Sequence, residues 1–251
     1  MPYCETTLRT LILEVGPRSQ AIALMVQALR ALSYARRNCL LAHQDLKPEN
    51  VLLQDLRNRY DLPAEYPFPW RPRVADFGNA NGYNELRVPW GSRPYQAPEQ
   101  FDSGSDLTYV DIFACGVMFH ELITGRHPLG LVTSHVWSAP VRGQSSQWQK
   151  AKRWRRWANS PSKLAHPLPP NAVAFEDLLE SVLATDPLGR PNHAQFEMVL
   201  RDELKRTDQL GSDNLEVLLS HYDNLCRESE EAGDSDERYQ EQHVAALLRR
   251  P

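Results

Sequence analysis

The chain has 251 residues, 41 % of them hydrophobic and 24 % charged, and its 28 basic side chains against 32 acidic ones leave a net charge of −4. These values exclude whole-chain disorder, collagen-like repeats and a disulfide scaffold, and the length is ample for a sizeable core. Four scattered cysteines (Cys4, Cys39, Cys115, Cys226) form no CxxC pair, no run reaches the roughly 18 apolar residues of a membrane span, and the N-terminus lacks a signal-peptide pattern; these features set the expectation of a soluble, reduced, cytoplasmic protein with no membrane partner.

In chain order, Gly16-Pro17 is a break signal, and residues 20–37 carry apolar positions at helical spacing. Short strands are expected at 51–53 and 73–76. The Pro-, Tyr- and Trp-rich stretch at 57–72 reads as an irregular insertion. A second apolar helix is expected over 110–124 with Gly125 as its stop. Further helices are expected at 146–158, 172–184, 193–206 and 213–226. Residues 228–241 carry seven acids against Arg238 alone and read as disordered. Helices therefore dominate, and the fold class is mainly α with a small β element near 45–76.

Charge is unevenly spread. Between Glu121 and Glu176 there is no acidic residue but eight basic ones. Within that stretch, Trp148, Trp154 and Trp157 alternate with basic side chains. Such interleaving suits phosphate-rich partners, yet tryptophans three apart on a helix more simply pack on a core. Packing is the preferred reading, protein docking comes next, and nucleic acid is a distant third. Cys39 and Cys115 read as inert core thiols on apolar helical faces.

Three segments carry the chemistry. They are His43-Gln44-Asp45-Leu46-Lys47-Pro48-Glu49-Asn50, Ala75-Asp76-Phe77-Gly78, and the run from Gly91 through Ser92 to Pro98-Glu99. Asp45, Lys47 and Asn50 read as a loop between a helix and a strand, since Pro48 makes a continuous helix through them unfavourable. Asp76 opens a glycine turn at the end of a second strand. If the two strands pair, Asn50 and Asp76 converge as oxygen ligands for a hard cation such as Mg²⁺. Lys47 would then supply fixed positive charge and Asp45 a base beside it. These are the parts of a phosphoryl-transfer site.

In this order the segments resemble the large C-terminal lobe of a Ser/Thr-type protein kinase, over residues 1 to about 206. The resemblance implies Asp45 as catalytic base, Lys47 as the lysine at the transferring phosphate, and Asn50 and Asp76 as Mg²⁺ ligands. Ser92 would bridge base and lysine. Glu99 and Arg190 match a buried ion pair, and Asp111 the anchor of the catalytic loop. The opening Met1-Pro2-Tyr3-Cys4-Glu5 resembles a hinge, so Tyr3 and Cys4 would line the adenine site. The implied activity is transfer of the ATP γ-phosphoryl group to protein Ser or Thr, with Mg²⁺.

Two departures stand out. Gln44 replaces an arginine that normally pairs with a phosphorylated loop, and no Ser or Thr lies between Asp76 and Gly91, so activation-loop Ser/Thr phosphorylation is not expected to control activity. A glycine-rich loop and a small-lobe lysine strand are also missing. The expectation is a large lobe without its small lobe, which is either missing from an incomplete chain or a separate partner, with very weak ATP binding by residues 1–251 alone. The alternative reading is an inactive kinase-like interaction module. Residues 207–251 would form a helical, then acidic extension.

Overall fold

A computed structural model of the chain describes residues 4–14, 16–38, 40–60, 62, 66–82, 91–102, 105–131 and 146–232. The two apolar helices of the sequence form its centre. α2 (Arg18–Arg37) follows the Gly16-Pro17 break and buries an almost continuous stretch from Ala21 to Leu29. Arg36 and Arg37 occupy its last turn, where cations complement the helix dipole. α4 (Val110–Thr124) is buried from Val110 to Ile123, as a helix that is apolar on all sides must be. It stops at Gly125, whose φ of 68° lets its N–H close back onto the Glu121 carbonyl at 2.7 Å.

Around this pair lie α1 (Leu8–Glu14), α3 (Leu56–Tyr60), α5 (Ser146–Ala158), α6 (Glu176–Val182), α7 (His193–Thr207) and α8 (Gln209–Ala232). Rings of Phe119, Phe175 and Phe196 meet edge-on where α4, the turn before α6 and α7 converge. Trp154 and Trp157 of α5 are buried against His127 and Phe113, so core packing accounts for both. The side chain of Trp148 lies outside the described residues, as does Cys39; Cys115 is buried on α4.

The sheet is small. β1 (Thr6–Thr7), β3 (Val51–Asp55) and β4 (Trp70–Val74) pair antiparallel in the order β1-β3-β4. β2 (Leu40–Ala42) and β5 (Asn81–Gly82) form a second, two-stranded ladder. Val51 faces Val74 and Leu53 faces Pro72. Pro72 is tolerated because β4 is an edge strand, where a missing N–H leaves no partner unsatisfied.

Several expectations need correction. The 57–72 stretch is not wholly irregular: α3 opens it and β4 closes it. Strand 73–76 runs instead from Trp70 to Val74, which leaves Asp76 beyond its end. The helix expected at 172–184 is a 3₁₀ turn (Val173–Phe175) followed by the shorter α6. α8 starts earlier than 213 and continues to Ala232, so its helical register overrides the acidic composition at 228–232; the remainder, to 241, lies outside the described residues. Composition gave no hint of why α8 is held. Leu56, Tyr60 and Leu62 form a separate apolar cluster with Leu218 of α8. Arg201–Glu216 at 2.6 Å and the Arg30–Asp223 pair fasten α8 to α7 and α2. No described helix is long and apolar enough to cross a membrane.

The Glu99–Arg190 pair matches its sequence expectation. Arg190 is fully buried and donates twice to Glu99, at 2.6 and 2.9 Å, as well as to the carbonyls of Ala184 and Tyr109. A buried bidentate pair stabilises little by itself, but breaking it strands a charge. Arg190→Met should therefore lower the urea-unfolding free energy by about 3–5 kcal/mol, and adding Glu99→Gln should cost little more. Fully additive losses would show that the two do not act as a unit.

Candidate functional site

The site is built on one stretch of unusual backbone. The expected loop is present, but it follows a strand, β2, rather than a helix, and it runs into a 3₁₀ turn (Pro48–Asn50) and then β3. Gln44 sits at φ 68°, a left-handed conformation that a residue with a Cβ adopts only when held there. The buried carboxylate of Asp111, in the first turn of α4, accepts from the His43 N–H at 2.7 Å and the Gln44 N–H at 3.0 Å. Burial pushes the Asp111 carboxyl above its ordinary range, opposed by His43 and the two N–H donors. Gln100 donates to the Gln44 carbonyl at 3.0 Å, and the Gln44 side chain donates to the Asn79 carbonyl at 2.9 Å.

This loop presents Asp45, Lys47 and Asn50. Lys47 Nζ donates to Asp45 Oδ2 and to Ser92 Oγ, both at 3.1 Å, and the Ser92 N–H donates to Asp45 Oδ1 at 2.7 Å. Ser92 reaches them because Gly91 (φ 121°) passes so close that a Cβ there would lie 2.4 Å from the Gln44 carbonyl oxygen. Asn50 Nδ2 donates to the Asp45 carbonyl at 2.8 Å, which leaves Asn50 Oδ1 as the amide's acceptor end. The strand pairing expected from the sequence is present, and the Ala75 N–H extends it to the Asn50 carbonyl at 2.9 Å. Asp76 follows directly, exposed and at φ 63°, without a side-chain partner among the described residues. His43 supports this turn by donating from Nε2 to the Ala75 carbonyl at 2.9 Å and by ring contact with Phe77.

Asp45, Lys47, Ser92 and Asn50 are thus joined by hydrogen bonds, and Asp76 stands at the neighbouring strand end. A neutral amide oxygen and an unpartnered carboxylate are hard oxygen donors, a set that fits Mg²⁺. Cys4 is elsewhere: it lies half-buried just before β1, bound into none of these contacts. Tyr3 lies outside the described residues, as does Tyr83.

A protein kinase domain family model matches residues 1–203. The chain belongs to the protein kinase family. It is similar to the serine/threonine-protein kinase PrkC of Bacillus subtilis, 28 % identical over 203 residues that cover 78 % of this chain and 27 % of that protein. The proline-rich receptor-like protein kinase PERK2 of Arabidopsis thaliana is 32 % identical over 51 % of this chain and 18 % of its own length. The serine/threonine-protein kinase PknL of Mycobacterium tuberculosis is 32 % identical over 49 % and 29 %, respectively. The chain spans less than a third of these kinases. The family match ends within α7, before α8 begins.

One buried network of this kinase domain went unread in the sequence. Arg9 of α1 pairs with Glu49 at 2.7 Å and donates to the Tyr95 hydroxyl at 2.5 Å, while that hydroxyl donates to Glu121 Oε2 at 2.7 Å. Glu49 and Tyr95 fall within the segments that carry the chemistry and Glu121 bounds the stretch without acids, but no local pattern marks Arg9 as their partner. Next to it, His127 accepts the Leu129 N–H at Nδ1, so its Nε2–H donates to the Pro94 carbonyl at 2.8 Å, two residues from Ser92. Burial pushes His127 down to about 3, so it is neutral at pH 7.

Burial also pushes the Glu121 carboxyl up to about 7 from 4.5, partly offset by Arg9 and the Tyr95 hydroxyl. The native state then holds this proton more tightly than the unfolded chain, so the contribution is complete below pH 4.5 and lost as pH rises through about 7. Relative to wild type, Glu121→Gln should gain on the order of 1–3 kcal/mol across that window, read from urea unfolding at stepped pH. A pH-independent difference would contradict this.

Proposed function

We propose that the chain carries the catalytic lobe of a serine/threonine protein kinase, which transfers the γ-phosphoryl group of ATP to a protein Ser or Thr hydroxyl with Mg²⁺. The observation that carries this reading is the closed triangle of Asp45, Lys47 and Ser92 beside Asn50 and Asp76. Residues 1–206 form the lobe, and 207–251 are an extension to it.

In this reading the Asp45 carboxylate, fixed by the Ser92 N–H and by Lys47, accepts the proton of the acceptor hydroxyl. The hydroxyl oxygen forms the new bond to the γ-phosphorus as the bond to the β-phosphate oxygen breaks, and the leaving diphosphate carries off that electron pair. Lys47 stands beside the base as the positive charge that stabilises the phosphoryl group in transit. Asn50 and Asp76 would hold Mg²⁺, which would neutralise phosphate charge when bound. Ser92 sets how closely an acceptor side chain approaches Asp45. Gln44 ties the Asp76 turn to the loop through a neutral amide, so the loop geometry needs no phosphate, and phosphatase treatment should leave activity unchanged.

The test is transfer of labelled phosphate from Mg·ATP to a Ser/Thr peptide library. Asp45→Asn should reduce transfer by about 10²–10⁴-fold without changing thermal stability. In parallel, Mn²⁺ binding followed by paramagnetic resonance should be lost in Asp76→Asn. Measurable transfer that is equal in wild type and Asp45→Asn would refute the assignment of the base; unaltered Mn²⁺ binding would refute that of the metal ligand.

A further inference from the structure

A second cavity lies away from these residues, where α8 closes over α2, β4 and α7. Its volume is about 680 Å³, within the range of small-molecule sites. One of its walls, α8, lies beyond the residues that match the kinase family.

The lining is chemically uneven. Arg30 donates to both acids of the cavity, Glu197 at 2.9 Å and Asp223, and Arg201 also pairs with Glu197 at 3.1 Å, so the two carboxylates are balanced by two guanidiniums. Arg37 and Arg71 are different. Among the described residues neither guanidinium has an ion-pair or hydrogen-bond partner. Arg71 is held over the ring of Tyr222 at 4.3 Å, and Arg37 over Tyr34 at 5.8 Å. Stacking fixes a guanidinium while leaving its N–H fork free to bind an anion. Two such forks call for more negative charge than one carboxylate carries, and a phosphate monoester at neutral pH carries close to two.

The lining also holds unmatched neutral groups. Gln27 is buried and spends its Nε2 on the carbonyls of Ala23 and Trp70, but its Oε1 has no partner. The Tyr222 hydroxyl is likewise buried without one. Buried polar atoms are rarely left unpaired, and a free Oε1 asks for a donor such as a hydroxyl. We propose that this cavity binds a small phosphate ester bearing hydroxyl groups, with Arg37 and Arg71 on the phosphate and Gln27 on a hydroxyl, and that α8 serves to close the site.

The probe is glucose 6-phosphate titrated calorimetrically into the whole chain, with glucose as the uncharged control. Saturable binding tighter than about 1 mM is expected, with at least about tenfold weakening by Arg37→Ala and by Arg71→Lys. Arg37 is exposed, so its variant should keep the wild-type unfolding temperature. Asp76→Asn should bind glucose 6-phosphate normally, which separates this cavity from the kinase site. No saturable binding, equal affinity for glucose, indifference to both arginine substitutions, or loss in Asp76→Asn would each overturn the proposal.

Discussion

One buried carboxylate organises the site. Asp111 receives two consecutive backbone N–H groups from a loop that would otherwise relax, because Gln44 sits at positive φ. That constraint is affordable only because α4, which carries Asp111, is the most deeply buried of the described helices. The rigidity of the core is thereby passed to the loop, and from the loop to Asp45, Lys47 and Asn50. The carbonyl of the same strained residue leaves room only for a glycine at position 91, and so decides where Ser92 comes to rest.

A second constraint sets the Asp76 side. Pairing of β3 with β4 brings two strand ends together, and the Ala75–Asn50 hydrogen bond carries that register one step into the turns. Asp76, like Gln44, has positive φ, although aspartate tolerates it better than most residues. Strain at both ends of the site is supported by hydrogen bonds from elements far apart in the chain.

Much of this was legible in the sequence, for a physical reason. Asp45, Lys47 and Asn50 are close in sequence because one tight loop must present them, so their spacing is itself the geometry. The apolar periodicity of 20–37 and 110–124, and the glycine stop at 125, likewise express local rules. What was not legible depends on contacts between distant segments. Arg9 meets Glu49, Tyr95 and Glu121 only after folding, and no local pattern in α1 marks it. The packing of Leu218 against Leu56, Tyr60 and Leu62 gave structure to a stretch whose composition read as irregular, and anchors α8 there.

The most direct test of this account is amide hydrogen exchange at His43 and Gln44 in Asp111→Asn. Asparagine keeps the shape but offers one acceptor oxygen where the loop needs two. The account predicts that these two amides lose protection by at least about tenfold while amides in the middle of α4 keep theirs. Unchanged protection at both would show that the loop holds its conformation without Asp111, and the central claim would fail.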